Sequence, residues 1–164
     1  MAPRRVLGWR RHGWLIAWAI LGYGLDLTTK ELALHHLVPG EPHEFLGGWL
    51  QLQLLFNPGA AFSLGENFTV VFACLGLVAL LMLVIFVAPR ANGRFENIVV
   101  GLLIAGVGGN LTDRIARPPA LFHGQVVDFI GIRYFAVFNI ADMCITTAAV
   151  MIIVTLLRMR PRRL

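Results

Sequence analysis

The sequence predicts an all-α membrane protein, a four-transmembrane-helix bundle whose two outer connections form a small β-containing extracytoplasmic region. Of its 164 residues, 57% are hydrophobic and 14% are charged, whereas a soluble domain has about 25% charged residues. The mean hydropathy is +0.72. Several apolar runs approach the length of about 20 residues that a helix needs to cross a bilayer. Basic residues lie beside these runs, which is typical of membrane proteins.

Four apolar segments are predicted to span the bilayer as helices. They cover residues about 14–34, 68–88, 96–115 and 138–157. The first follows an arginine cluster, as a cleavable signal peptide would. It is predicted to be retained because it runs into Asp26 and Lys30 without a small-residue cleavage site. In the third segment, Gly101, Ala105 and Gly109 recur every four residues, a spacing that favours close helix packing.

The distribution of Lys and Arg predicts the orientation of the bundle. Ten of these residues lie at the two chain ends and in the loop after the second helix, and four lie on the opposite side. By the positive-inside rule, both termini of this single integral membrane domain, residues 1–164, are cytoplasmic. The longer connections, residues 35–67 and 116–137, then face outward.

The net charge of +5 does not indicate nucleic-acid binding. The basic residues cluster beside apolar runs, and no basic groove with interleaved aromatic residues is present in the sequence pattern. Cys74 and Cys144 both lie inside apolar runs. They are therefore interpreted as small buried hydrophobes rather than as a disulfide or a thiol nucleophile.

Ionisable side chains inside membrane helices are costly and usually functional. Three groups of polar residues are predicted at the outer ends of helices, each on one helical face because of its three- or four-residue spacing. They are Asp26 with Lys30, Asn110 with Asp113 and Arg114, and Asn139 with Asp142. All three groups fall at the same depth, so they are interpreted as parts of one site.

The outer connections add two segments to this predicted site. The sequence of residues 57–63 is typical of a turn followed by small residues, just before the second predicted helix. The stretch from Val126 to Phe138 is rich in β-branched and aromatic residues, which predicts strands at the membrane interface. Within it, Asp128 is a single carboxylate in an apolar run. An unpaired buried carboxylate is costly, so a partner is expected, and Asp142 is the candidate.

Five short motifs occur in order along the chain. They are Asp26-x-x-x-Lys30, Asn57-x-Gly59-x-Ala61-Phe62, Gly109-Asn110-x-x-Asp113-Arg114, Val127-Asp128-Phe129 and Phe138-Asn139-x-Ala141-Asp142. Together they resemble the lipoprotein signal peptidases (signal peptidase II), a family of membrane aspartyl proteases. The likeness covers nearly the whole chain between its basic tails, and the last two motifs are the most specific.

The resemblance implies an aspartic endopeptidase of the bacterial cytoplasmic (inner) membrane, with its active site near the extracytoplasmic surface. Such enzymes release the signal peptide of a prolipoprotein by cutting on the amino side of a diacylglyceryl-modified cysteine. The implied catalytic dyad is Asp128 and Asp142, which would share one proton because two close carboxylates do not both ionise. The expected partners are the prolipoprotein and membrane lipid, without a metal or cofactor, and we expect a monomer.

Nine further residues are predicted to bind substrate or support the site: Asn57, Gly59, Asn110, Asp113, Arg114, Asn139, Ala141, Asp26 and Lys30. Asn57 and Asn139 are expected to hydrogen-bond the scissile backbone or to orient an aspartate. Arg114 is expected to hold Asp113 or to contact the lipid-bearing substrate. The ion pair on the first helix is expected mainly to keep that helix in register.

The main alternative is a small four-helix membrane transporter or channel, in which intramembrane carboxylates bind protons or cations. It predicts polar residues near the bilayer midplane, whereas the centres of the second and fourth predicted helices are apolar. A non-catalytic assembly or lipid-binding subunit would need no paired aspartates. A one-sided site at the membrane surface favours a protease whose substrate diffuses laterally.

Other catalytic chemistries match the sequence less well. Ser63 with Lys30 as a base, and Thr112 near Arg114, do not fall in a recognisable nucleophile motif. Three histidines and a glutamate of the first outer connection lack the His-Glu-x-x-His spacing of zinc sites and are expected to be solvated. They are His35, His36, His43 and Glu44. His123 is likewise expected to be a solvated loop residue.

Overall fold

The computed structural model describes residues 12–59 and 68–158. These residues form four α-helices and four strands, in the order α1 (Gly13–His36), β1 (His43–Phe45), β2 (Leu50–Asn57), α2 (Thr69–Met82), α3 (Arg94–Ala116), β3 (Val126–Ile132), β4 (Val137–Phe138) and α4 (Ile140–Arg158). A π-helical turn and a 3₁₀ turn extend α2 to Arg90. The strands follow the ends of α1 and α3 and precede α4, so the sheet lies at one end of the helices.

Three helices among the described residues are long and apolar enough to cross a membrane. They are Thr69–Arg90, Arg94–Ala116 and Ile140–Arg158. The second half of α1 carries Asp26, Lys30 and Glu31, and α1 is not among the three. The predicted combination of membrane helices with a small β region is confirmed, whereas the count of four spans stays a prediction.

The fourth helix was predicted to begin near residue 138, but it begins at Ile140. Phe138 pairs with Ile130 of the neighbouring strand instead of starting the helix. Asn139 then caps the helix, because its carbonyl oxygen accepts a hydrogen bond from the Met143 amide at 3.2 Å. An Asn at this position satisfies free amides of the first helical turn.

Small side chains let α3 pack against α1, α2 and α4 as the central helix. A Cβ atom at Gly101 would strike the α1 backbone, and one at Gly22 would lie 2.8 Å from the Ala105 Cβ. Gly109 leaves the space that the Asp26 carboxylate occupies. The close packing predicted from the four-residue spacing of these small residues is therefore confirmed.

The strands form one antiparallel sheet in the order β1-β2-β3-β4, which confirms the strands predicted within residues 126–138. Leu55 pairs with Asp128 and Asn57 with Val126, after a register shift that leaves one extra residue in β2. Paired residues, and residues two apart in a strand, share a face of the sheet. Asn57 and Asp128 therefore lie on the same face, and without the extra residue Asn57 would face the other way.

Candidate active site

Asp128 is held by two amide side chains from different elements. It is 1% exposed. Asn57 Nδ2 of β2 donates to its Oδ2 at 2.9 Å, and Asn139 Nδ2 donates to its Oδ1 at 2.6 Å. Gly59 N donates to Asn57 Oδ1 at 3.0 Å, which leaves the Asn57 amide nitrogen directed at Asp128. Within residues 12–59 and 68–158, Asp128 forms no ion pair, so uncharged donors satisfy both of its oxygens.

Asp142 is fixed in the first turn of α4 by a capping box. Asn139 Oδ1 accepts a hydrogen bond from Asp142 N at 3.0 Å, and Asp142 Oδ2 accepts one from Asn139 N at 3.2 Å. This reciprocal pattern satisfies two free amides at a helix start. Asn110 Nδ2 of α3 donates to Asp142 Oδ1 at 2.8 Å. Asn139 thus contacts both carboxyl groups, and each group accepts two N–H donors.

Both carboxyl groups line one cavity of about 590 Å³. Its polar side chains are those of Asn57, Asn110, Arg114, Asp128, Asp142, Thr146 and Thr147. The β3–β4 hairpin and α4 supply an apolar wall that includes Ile132, Phe135, Val137, Phe138, Met143 and Ile145. An apolar cavity with a few convergent polar groups is the usual form of a ligand site. This cavity suits a polar chain segment attached to an apolar group.

The pKa of Asp128 is raised from its usual value of 3.8 to about 7. Burial is the largest cause, and the charge of Asp142 acts in the same direction. Hydrogen bonds from Asn57 and Asn139 and the charge of Lys30 oppose the rise in pKa. A carboxyl group that titrates near neutral pH is suited to general acid–base catalysis.

Lys30 is the centre of a buried ionic cluster behind the cavity. Its Nζ lies 2.8 Å from Asp26 Oδ2, 2.8 Å from Asp113 Oδ2 and 3.0 Å from Asn110 Oδ1. The side chains of Lys30, Asp26 and Asp113 are fully buried. The expected pairing of Asp26 with Lys30 is therefore present, and Asp113 of α3 is a second partner. The carboxylates also accept backbone hydrogen bonds, from Ala141 N to Asp26 Oδ1 at 2.8 Å and from Val127 N to Asp113 Oδ2 at 3.2 Å.

Arg114 contacts backbone carbonyl groups rather than Asp113, and the other expected contact, with the substrate, stays a prediction. Its guanidinium donates to the carbonyl oxygen of Pro58 at 3.1 Å and to that of Gly59. The arginine that donates to Asp113 is Arg117, whose Nε lies 2.5 Å from Asp113 Oδ1. The expectation that Arg114 holds Asp113 is wrong, because the two side chains leave α3 toward different neighbours.

Arg117 and its second partner, Glu31, are site-supporting residues that the sequence interpretation missed. Arg117 NH2 lies 2.8 Å from Glu31 Oε1 of α1. Burial lowers the pKa of Arg117, but hydrogen bonds and charge from Asp113 and Glu31 outweigh this effect and raise it. The four-residue spacing of Asp113 and Arg117 was a usable signal.

Several other residues considered in the sequence lie away from the cavity or outside the described residues. Ser63, Ala61 and Phe62 lie outside the described residues. Thr112 shares a hydrogen bond of 2.9 Å with Tyr23 on the far face of α3. The described residues contain no group of three or more His, Cys, Asp or Glu side chains that could hold a metal ion. The free cysteines are Cys74, which is exposed, and Cys144, which is buried.

The chain is similar to known proteins over most of its length. A family model described as Signal peptidase (SPase) II matches residues 18–158. A protein named lipoprotein signal peptidase from Streptomyces coelicolor is 42% identical over 93% of this chain and 74% of its own length. A protein of the same name from Rhodococcus jostii is 35% identical over 97% of this chain and 80% of its own length.

Two solved structures have the same fold. A bacterial membrane enzyme determined by the in meso method at 2.3 Å resolution matches with a TM-score of 0.80 and 28% identity, over 93% of this chain and 94% of that chain. A second, at 1.9 Å resolution, matches with a TM-score of 0.77 and 30% identity, over 90% and 94% of the two chains. The chain therefore belongs to the signal peptidase II family of membrane peptidases.

Proposed function

We propose that this protein removes the signal peptide from prolipoproteins by cutting on the amino side of a diacylglyceryl-modified cysteine, with Asp128 and Asp142 as the catalytic dyad. One observation carries the proposal. Two carboxyl groups, from β3 and α4, line a single cavity, and within the part of the chain that the structure describes both are held by amides rather than by cations. Relatives named lipoprotein signal peptidase support the substrate class.

The two carboxyl groups supply the chemistry of peptide hydrolysis when they share one proton. The ionised group takes a proton from a water molecule, which attacks the scissile carbonyl carbon. The protonated group hydrogen-bonds to the carbonyl oxygen and then protonates the leaving amine, so that the C–N bond breaks. Because the pair titrates as a unit, its apparent pKa values belong to the dyad rather than to either residue.

The neighbouring residues fix the geometry of this reaction. Asn57 and Asn139 orient the Asp128 carboxyl group, and Asn110 orients that of Asp142. Arg114 fixes the carbonyl groups of Pro58 and Gly59 at the cavity wall. The polar side of the cavity would bind the peptide, and the apolar wall of the β3–β4 hairpin and α4 would face the acyl chains.

We place this single domain in the bacterial cytoplasmic membrane as a monomer with four spans, cytoplasmic termini and the cavity near the extracytoplasmic surface. The outward apolar side chains of α1 support a fourth span, since Ile20, Leu21 and Leu25 are at least half exposed. Trp49 and Tyr134 of the sheet region are 59% and 86% exposed. Such residues are enriched where a membrane protein meets the bilayer–water interface.

The test is release of the signal peptide from a diacylglyceryl-modified prolipoprotein by the purified full-length chain in detergent. Asp128→Asn and Asp142→Asn keep the side-chain shape and remove the ionisable group, so each should lower kcat by about 10²–10⁴-fold or more. Glu41→Gln, at an exposed carboxylate in the connection after α1, is the matched control and should cleave at the wild-type rate. A metal chelator should not change any of these rates.

Each contrary result has a separate meaning. Near-normal cleavage by either aspartate variant would refute the dyad while leaving the peptidase activity intact. A wild-type chain that releases no signal peptide from a verified lipidated substrate would refute the proposed function itself.

A further inference from the structure

The backbone directly before each proposed catalytic residue is bound by a buried carboxylate. Val127, which precedes Asp128, donates its amide to Asp113 Oδ2 at 3.2 Å. Ala141, which precedes Asp142, donates its amide to Asp26 Oδ1 at 2.8 Å. The acceptors lie on α3 and α1, whereas the donors lie on β3 and α4. Two equivalent hydrogen bonds therefore tie the two catalytic segments to the helices behind them.

Lys30 joins these two acceptors through a single ammonium group. Its Nζ contacts Asp26 Oδ2 and Asp113 Oδ2, each at 2.8 Å, and Asn110 Oδ1 at 3.0 Å. An ammonium has three N–H groups, which equals the number of these oxygen contacts, although the contact with Asp26 Oδ2 is an ion pair without hydrogen-bond geometry. Asn110 in turn donates to Asp142. One cation thus contacts three groups that hold the two catalytic segments from behind, namely Asp26, Asp113 and Asn110.

We infer that Asp26, Lys30 and Asp113 form an ionic clamp that sets the separation of Asp128 and Asp142 by holding the backbone before each of them. The inference rests on the proposed function of that aspartate pair. The members of the clamp are positioning residues, since the carboxylates reach the pair through the backbone amides of Val127 and Ala141.

The contacts of Asp26 and Lys30 are more directional than the packing of two helices requires. Buried ion pairs stabilise little more than apolar residues of the same volume, because desolvation offsets the attraction between the charges. Their hydrogen bonds, however, have a fixed direction. Asp26 uses one oxygen for Lys30 and the other for the Ala141 amide. Gly109 has no side chain at the point where the Asp26 carboxylate passes between α1 and α4.

The separation of the two aspartates determines how strongly they are coupled. Their mutual repulsion falls with distance, and this repulsion keeps one proton on the pair. Other charges also act on Asp128, from Lys30 of α1, Arg114 of α3 and Asp142 of α4. A test of the clamp must therefore change the hydrogen bond to the backbone without a further change in charge.

Asp26→Asn and Asp26→Leu meet this requirement. Both remove the same negative charge, but only the asparagine keeps an oxygen that can accept the Ala141 amide. Tyr23→Phe is the control for a loss of helix packing, because it removes another hydrogen bond between α1 and α3, to Thr112, that has no contact with the catalytic segments. The measurement is steady-state release of the signal peptide by the full-length chain, from about pH 4 to pH 9, a range that brackets both protonation states of the dyad.

We expect Asp26→Leu to lower kcat by about 100-fold, the usual effect of a misplacement near 1 Å, with KM changed by less than about threefold. The two apparent pKa values of its pH–rate profile should move closer together, because the carboxyl groups are less strongly coupled. Asp26→Asn should keep kcat within about tenfold of the wild type, and Tyr23→Phe should keep the wild-type profile.

Two results would overturn the clamp. In one, Asp26→Leu keeps the wild-type pH profile and loses activity only in proportion to its folded fraction. In the other, Asp26→Asn is as impaired as Asp26→Leu, which would assign the effect to charge. A wild-type chain without activity would instead refute the proposed function and with it the catalytic role of the clamp.

Discussion

The four aspartates around the cavity form two pairs that are held in different ways. Asp26 and Asp113 are fully buried and share the ammonium of Lys30. Among the described residues, the hydrogen-bond donors to Asp128 and Asp142 are all amide N–H groups, from side chains and backbone. An adjacent cation favours the charged form of a carboxylate, whereas burial and the charge of Asp142 raise the pKa of Asp128 despite its amide donors. The first pair is therefore suited to structure and the second to proton transfer.

The largest expected effect in this comparison follows from removing the shared cation. Lys30→Met keeps most of the side-chain volume but leaves Asp26 as an uncompensated buried charge, and leaves Asp113 with Arg117 as its remaining cation. The free energy of unfolding should fall by about 3–5 kcal/mol, as it does when one partner of a buried ion pair is removed. Equilibrium unfolding in mixed detergent micelles measures the change.

Arg133→Met is the control for loss of a basic residue. Arg133 is exposed, and its guanidinium lies 5.0 Å from the ring centroid of Tyr134. An exposed contact of this kind stabilises by about 0.5–1 kcal/mol. Equal losses of stability in the two variants would mean that the Lys30 cluster is not a buried charge network.

The second effect concerns the titrating pair and depends on pH. The pKa of Asp128 is about 7 in the folded chain, above its usual value of 3.8. The folded state therefore retains a proton that the unfolded state has released, so Asp128 reduces stability as the pH rises from about 4 to about 7. Asp128→Asn cannot ionise and should gain stability relative to the wild type over that range.

The gain should reach at most about 4 kcal/mol, at about 1.4 kcal/mol for each pKa unit. Unfolding measured at several pH values for both chains tests it. A difference in stability that is constant with pH would show that Asp128 does not carry a raised pKa. If Asp128→Asn is more stable than the wild type but no longer cleaves substrate, the ionisable group of Asp128 lowers the free energy of unfolding and is needed for activity.

The smallest effect tests how tightly the two pairs are packed against each other. A Cβ at Gly109 would overlap the Asp26 carboxylate and lie 3.2 Å from the Ala141 Cβ. Gly109→Ala should lower the free energy of unfolding by about 1–3 kcal/mol through overpacking, and should also slow cleavage.

Gly108→Ala provides a control on the same helix. A Cβ at Gly108 would lie 3.7 Å from the Tyr23 ring, an ordinary contact. Alanine favours a helix by about 1 kcal/mol over glycine, so this variant should be as stable as the wild type or more so. If Gly109→Ala and Gly108→Ala have the same free energy of unfolding, the close contact at Gly109 does not restrict the residue type at that position of α3.

The sequence by itself determined the helical membrane class and most helix boundaries, because long apolar runs can hide their backbone polar groups from lipid only as helices. It also indicated which polar residues lie together. Asp26, Asn110 and Asp142 interrupt apolar helices, where an isolated polar group is costly. A shared site, in which these groups are partners of one another, was therefore predicted. Fixed helical spacing was enough to predict that Asp26 pairs with Lys30.

Only the tertiary structure decided how those residues are connected. The extra residue in β2 places Asn57 on the face of Asp128, and a one-residue shift in register leaves no clear sign in the sequence. The second partner of Lys30, Asp113, lies on α3, and the backbone donor to Asp113, Val127, lies on β3. Contacts between distant segments depend on where packed helices and strands direct their side chains, and local spacing carries no information about that direction.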